Sequence, residues 1–294
     1  MKRLNSNLKF FVIALMLFSF GCAKEAEKVI LSPDGVEISL DQRGEGEPTV
    51  IFIHGWANNK GIWDAQMSYF AEKHRVIAVD LPGYGESGYN RTDWTMASFA
   101  QDVNTVIDKL NLEKVVLVGF SMGGPVIVES AKSASENLIG LVIVDALKDV
   151  EMKYSPEMII SIDSVFTNIV TYPTGEKLLA GGFYKQNPDA SYVRVVTMLS
   201  GQKNTSRIGW RESFNDIFRW LNEDCIDALQ KVSVPIVSIC SDMEPINEEA
   251  FKKYVPSYKL KIIPETGHLV MWDNPEEFNR LLEESIQEIM GKSR

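Results

Sequence analysis

The sequence predicts an α/β chain, a mostly parallel sheet with helices on both faces, interrupted once by an inserted helical lid over residues 147–224. Three observations carry that expectation. Short continuous apolar runs, of which Thr49-Val50-Ile51-Phe52-Ile53 is the clearest, have the pattern of strands buried on both faces. Segments with helical apolar spacing separate these runs. One β-branched run, Lys114-Val115-Val116-Leu117-Val118, leads directly into Gly119-Phe120-Ser121-Met122-Gly123, and a helical pattern leaves it.

The chain begins with a segment to be set aside from the fold. Lys2, Arg3 and Lys9 precede an apolar stretch from Phe10 to Phe20, too short to span a bilayer comfortably, and Ser19-Phe20-Gly21-Cys22 closes it. This resembles a bacterial lipoprotein signal, with Ser19 where such signals usually carry leucine. The expectation is a signal peptide over 1–21, lipidation at Cys22, a tether over 22–34 and export to the bacterial cell envelope. There the protein would face the periplasm or exterior, held at a membrane surface. Loss of residues 1–21 removes three positive charges, taking the formal charge from −10 to −13. The core is expected over 35–146 and 225–294.

Val36-Glu37-Ile38-Ser39-Leu40 alternates as an edge strand does, and Asp41 to Pro48 has the polarity and glycines of a turn. After the strand ending at Ile53 come His54-Gly55-Trp56, a polar loop and a helical pattern from Ile62 to Glu72. The next strand is Arg75 to Val79, followed by Asp80. Gly83-Tyr84-Gly85-Glu86-Ser87-Gly88 satisfies G-x-G-x-x-G literally. A dinucleotide site needs a helix to start inside that loop, and here Tyr89 to Asp93 stays polar until a helix begins near Thr95. It reads as a connecting loop. Met96, Phe99, Val103, Val106, Ile107 and Leu110 share that helix's apolar face.

After the Ser121 turn and its helix, Leu138 to Val144 is a buried strand ending at Asp145. Within the insertion, Ser155-Pro156-Glu157 marks a helix start. The sheet resumes with Val234 to Cys240 and closes with Tyr258 to Ile263. Pro264-Glu265-Thr266-Gly267-His268 follows as a loop, and Pro275 opens a last amphipathic helix.

Composition narrows the function. A pI near 5.0 and no basic stripe argue against a nucleic-acid partner. Three cysteines, Cys22, Cys225 and Cys240, do not make a disulfide scaffold, and neither C-x-x-C nor H-E-x-x-H occurs. No cofactor or metal is expected.

The pentapeptide at Ser121 is a G-x-S-x-G elbow, in which a sharp strand-to-helix turn exposes the serine hydroxyl. The amide of Met122 then faces any oxyanion at the helix N-terminus. A serine needs a base. Of the three histidines, His54 ends a core strand and His74 lies in a polar turn, whereas His268 stands in a loop at a strand end. The base needs a carboxylate, and the chain order serine, acid, histidine places it after the Val234–Cys240 strand. Asp242 is the first choice, Glu244 the second and Asp145 a remote third. Asp80, Asp93 and Asp102 read as loop and helix polar groups.

Four motifs in order resemble those of the α/β-hydrolase superfamily: His54-Gly55-Trp56; Asp80-Leu81-Pro82-Gly83-Tyr84-Gly85-Glu86-Ser87; Gly119-Phe120-Ser121-Met122-Gly123-Gly124; and Gly267-His268 with Asn274-Pro275-Glu276-Glu277-Phe278. The resemblance runs from about Val36 to Met290. It implies the α/β-hydrolase fold, an architectural role for the Pro82–Ser87 loop, and the Trp56 amide as second oxyanion donor beside Met122. The sequence departs from the family at Ser241-Asp242-Met243-Glu244-Pro245, where Gly-x-x-Asp-Pro is commoner.

The expected activity is that of a serine hydrolase on carboxylic esters of small, partly hydrophobic substrates. Carbon–carbon bond hydrolases, thioesterases and lactonases share the same machinery. Epoxide hydrolases and haloalkane dehalogenases carry aspartate at the elbow, which Ser121 disfavours. A fold of this kind that captures a ligand without turnover is the alternative of another class, distinguished by saturable probe labelling without multiple turnover.

Overall fold

The computed structural model describes residues 30–133, 136–171 and 207–292, with the side chains of 165–171, 207 and 292 excepted. The signal-like segment, Cys22 and the first part of the expected tether lie outside the described residues, as does the middle of the insertion, 172–206.

Among the described residues, a two-stranded hairpin of β1 (Ile30–Leu31) and β2 (Glu37–Ile38) precedes one larger sheet. The strands of that sheet are β3 (Leu40–Arg43), β4 (Thr49–Ile53), β5 (Val76–Val79), β6 (Val115–Phe120), β7 (Leu138–Val144), β8 (Ile236–Ser241) and β9 (Lys259–Ile263). They lie in the order β3-β5-β4-β6-β7-β8-β9, and within that sheet only the edge strand β3 is antiparallel to its neighbour.

The described helices, in chain order, begin with α1 (Asp64–Phe70), α2 (Met96–Lys109), α3 (Gly123–Lys132), α4 (Pro156–Thr171) and α5 (Arg207–Glu223). They continue with α6 (Cys225–Lys231), α7 (Glu248–Tyr254), α8 (Val270–Asp273) and α9 (Pro275–Lys292).

The apolar runs explain the layering. Alternate residues of one strand enter opposite cores. Ile51, Ile53, Ile77, Val79, Leu117 and Ile143 face one, and Val50, Phe52, Val76, Val116, Val118 and Val142 face the other. Phe99 and Val103 of α2, Val126, Ile127 and Val128 of α3, and Leu229 of α6 close the first core. The second is closed by α1, α8 and α9, where Phe278, Leu282 and Ile286 repeat at helical spacing. Phe52 lies between Trp63 and Phe70, with ring centroids at 5.0 and 6.4 Å. Each such side chain contributes about 1.5–3 kcal/mol on burial, enough to hold a strained turn at a strand end.

Two expected stretches are organised differently. The strand expected over Val36–Leu40 is divided at Ser39. The Ser39 amide donates to Ser87 Oγ at 2.8 Å, while its carbonyl accepts from Asp80 N at 2.9 Å. β2 therefore pairs with β1, and β3 runs into the stretch expected as a turn. Ile30 and Leu31 are likewise structured within the stretch expected as tether, because Ser32 Oγ accepts from Val36 N at 2.7 Å and turns the hairpin.

α4 and α5 stand between β7 and β8. Ser155 Oγ accepts from Met158 N at 3.3 Å, the cap that the Ser-Pro-Glu sequence predicts. α5 is tied to the core by polar contacts. Asp216 Oδ2 accepts from Met96 N at 2.7 Å, and the Trp220 indole donates to Glu129 Oε2 at 2.9 Å.

Candidate active site

β6 delivers Ser121 to the C-terminal edge of the sheet, where φ is +51°. A non-glycine residue in this region costs about 1–3 kcal/mol and persists only when its surroundings impose it. They do so here: Ser121 N donates to Val144 O at 3.0 Å, and Gly124 N donates to Ser121 O at 2.9 Å. A Cβ on Gly119 would stand 2.2 Å from Gly123 O, so the turn requires glycine there. Met122 is the N-cap residue of α3, at the positive end of the helix.

The loop after β4 approaches the same turn. A Cβ on Gly55 would lie 3.0 Å from Ser121 Cβ. Ala57 is left-handed at φ +57°, and the Asn58 side chain donates to Trp56 O at 2.7 Å, which fixes the Trp56–Ala57 peptide. The Trp56 indole donates to Trp210 O on α5 at 2.7 Å.

Both ring nitrogens of His54 are tied into this architecture. Its Nδ1 donates to Gly55 O at 2.7 Å, and its Nε2 accepts from Leu81 N at 3.1 Å. Burial lowers its pKa, against the pull of Asp80. The neighbouring glycine-rich loop closes on itself through Gly83 N to Gly88 O at 2.8 Å and Glu86 N to Asp80 Oδ2 at 2.8 Å. Lys60 lies beneath it, with Nζ 3.2 Å from Asp80 and 3.0 Å from Glu86. Burial opposes that ammonium, but Asp80, Glu86 and Asp41 together raise its pKa above the usual range. Asp102 forms a two-pronged ion pair with Arg91, at 2.7 and 3.0 Å.

His268 lies in the loop after β9, with its ring 4.7 Å from that of Phe120, the residue before Ser121. Its Nδ1 is 2.6 Å from Asp145 Oδ2. The carboxylate on His268 Nδ1 is therefore Asp145, at the end of β7, and not Asp242 or Glu244. Asp242 Oδ1 instead accepts from Glu265 N at 3.1 Å, and Glu244, 65% exposed, lies 3.4 Å from Lys148. The physical reason is the exit of β8. Ser241, where glycine is commoner, donates both its amide and its hydroxyl to Asp145 Oδ1, each at 2.8 Å. That loop supplies donors to the Asp145 carboxylate rather than a carboxylate to His268 Nδ1.

Burial raises the pKa of Asp145, but the hydrogen bond and charge of His268, with Lys148 and the Ser241 amide, bring it below the ordinary value. An ionised carboxylate only accepts, so His268 carries its proton on Nδ1 and leaves Nε2 as the basic atom. The sequence shows only that Asp145, like Asp80 and Asp242, directly follows a core strand; the pairing of Val144 with Phe120 is what brings it beside the Ser121 turn. Among the described residues, no group of three His, Cys, Asp or Glu side chains is placed to hold a metal.

A family model described as the alpha/beta hydrolase fold matches residues 48–275, and the chain belongs to that family. Among curated relatives, a Bacillus subtilis chain provisionally named 2-succinyl-6-hydroxy-2,4-cyclohexadiene-1-carboxylate synthase is 24% identical over 87% of this chain and 97% of its own. The bifunctional esterase/perhydrolase of Acinetobacter calcoaceticus is 27% identical over 71% of this chain and 79% of its own. Among solved structures, an esterase from Exiguobacterium antarcticum superposes with a TM-score of 0.78 at 24% identity, covering 89% of this chain and 99% of that one.

Proposed function

We propose that the protein is a serine hydrolase acting on carboxylic esters, with Ser121 as nucleophile, His268 as base and Asp145 as the acid that orients it. The observation that carries this reading is the 2.6 Å contact of His268 Nδ1 with buried Asp145, beside a serine held at φ +51°. Ser121 Oγ attacks the ester carbonyl while His268 Nε2 takes its proton. The oxyanion is received by the Trp56 and Met122 amides, each contributing about 2.7–4 kcal/mol to barrier lowering. The imidazolium then protonates the departing alcohol, and water, deprotonated by the same nitrogen, releases the acid.

The esterase among the relatives supports the ester reading, and the aromatic rings beside Trp56 support a partly hydrophobic substrate. Trp56, Phe214, Phe218 and Tyr154 follow one another at 5.0, 5.1 and 4.9 Å. The insertion over 147–224 acts as a lid in this reading. A Ser121→Ala protein should lose turnover of p-nitrophenyl acetate and labelling by a fluorophosphonate. Retained turnover, or labelling of another residue, overturns the assignment.

The chain is also proposed to be an exported lipoprotein anchored through Cys22, on the strength of Lys2, Arg3, Lys9 and the apolar stretch before Cys22. A Cys22→Ser protein that still fractionates with bacterial membranes would refute the anchor.

A further inference from the structure

Lys148 stands three residues beyond Asp145 and returns to it. Asp145 and Leu147 are both left-handed, at φ +44° and +53°, which folds the chain back at the end of β7. Lys148 Nζ is 3.2 Å from Asp145 Oδ1, 3.2 Å from Ser241 Oγ and 3.4 Å from Glu244 Oε2, on a side chain 13% exposed. Its carbonyl accepts from Asn247 N at 2.7 Å, so the backbone is fixed as well. Asn247 in turn caps α7 through Ala250 N and donates to Asp149 Oδ1 at 3.2 Å.

Oδ1 of Asp145 thus faces Ser241 N, Ser241 Oγ and Lys148 Nζ, while Oδ2 faces His268. We infer that Lys148 is a positioning residue for the acid: with Ser241 it fixes Asp145 Oδ1 so that Oδ2 meets His268, and its charge tempers the field that the carboxylate presents to that ring. This rests on the Ser121–His268–Asp145 reading above. An ammonium 3.2 Å from Asp145 Oδ1 offsets part of the negative charge that the carboxylate presents to His268. Glu244 attenuates that effect from the far side. The other titratable groups around the cluster are Asp149 and Tyr154 after β7, Cys240 and Asp242 at the β8 exit, and Glu265 and Asp273 around the His268 loop.

The test is the pH profile of kcat/KM for p-nitrophenyl acetate on the full chain, with unfolding temperature measured for each variant. Lys148→Met keeps the stem and removes the charge. The acidic limb should move to higher pH by about half a unit, and kcat should fall about 3–10-fold with KM little changed. Lys148→Arg should restore the limb. An unmoved limb in folded Lys148→Met, or a loss that arginine shares equally, overturns the proposal. If Lys148→Met does not fold, the exposed Glu244→Gln decides: a limb moved to lower pH by a few tenths of a unit supports the proposal, and an unmoved limb overturns it. Failure of the underlying reading is distinguishable, because Asp145→Asn would then keep full activity and fluorophosphonate labelling.

Discussion

His268 reaches past β8 to meet Asp145: the histidine follows β9, the aspartate follows β7, and Nδ1 stands 2.6 Å from Oδ2. The β8 exit between them gives two hydrogen bonds to the same carboxylate through Ser241. Asp145→Asn should therefore lower kcat by about 10³-fold or more, since a neutral amide neither holds the tautomer nor stabilises the imidazolium. Asp242→Asn and Glu244→Gln should each stay within about tenfold of the parent, because neither carboxylate is the one on Nδ1. Steady-state kinetics on p-nitrophenyl acetate with the three variants decides, and an inactive Asp242→Asn beside an active Asp145→Asn would reverse the assignment.

Legibility in the sequence divides along local and tertiary lines. The sheet follows from apolar runs that bury both faces, and the Ser121 turn follows from glycines at fixed offsets, because both are written within a few residues. The partner of His268 is not local. Asp80, Asp145 and Asp242 each follow a core strand, and which one meets the histidine depends on strand order and on the donors at the β8 exit. Ser241 in place of the commoner glycine is a visible departure, but its consequence, two hydrogen bonds directed at Asp145, emerges only when β7 and β8 are paired. The Ser39 break is similar, since Ser87, which takes its amide, lies 48 residues away.

The elbow predicts a steep cost for a single methyl group. Gly119→Ala places a Cβ 2.2 Å from Gly123 O, and backbone must shift to relieve it. Stability should fall by about 1–3 kcal/mol, and activity should fall further because Ser121 moves with the turn. Urea unfolding with kinetics on the same preparation measures both, and a variant with parental stability would contradict so close an approach of β6 to α3.

Trp56 links the proposed oxyanion loop to the insertion. Its indole donates to Trp210 O at 2.7 Å, while the Trp210 indole donates to Gly83 O at 3.0 Å and its ring stacks on Tyr84 at 5.7 Å. Trp56→Phe keeps the backbone amide and most of the ring but removes that donor. The expected cost is about 1 kcal/mol of stability, with kcat lowered several-fold as the amide loses its support. Lower stability with kcat unchanged would show that the loop is held by its other contacts, among them Asn58.

His54 predicts a pH dependence of stability with a definite sign. Its ring is fully buried, and burial lowers its pKa, so the folded protein binds fewer protons there than the unfolded chain once pH falls below about 6.5. Stability from this group is present above that pH and is lost as pH falls towards the folded pKa, by about 1.4 kcal/mol per unit for one excluded proton. A proton on Nε2 would also displace the Leu81 amide, which now donates to it at 3.1 Å. Urea midpoints at about pH 7.5 and about pH 5.5 should therefore separate more in the parent than in His54→Gln, where the titrating ring is gone. His74 and the carboxylates contribute equally to both proteins and cancel in the difference. Equal separations would mean that His54 does not exclude its proton.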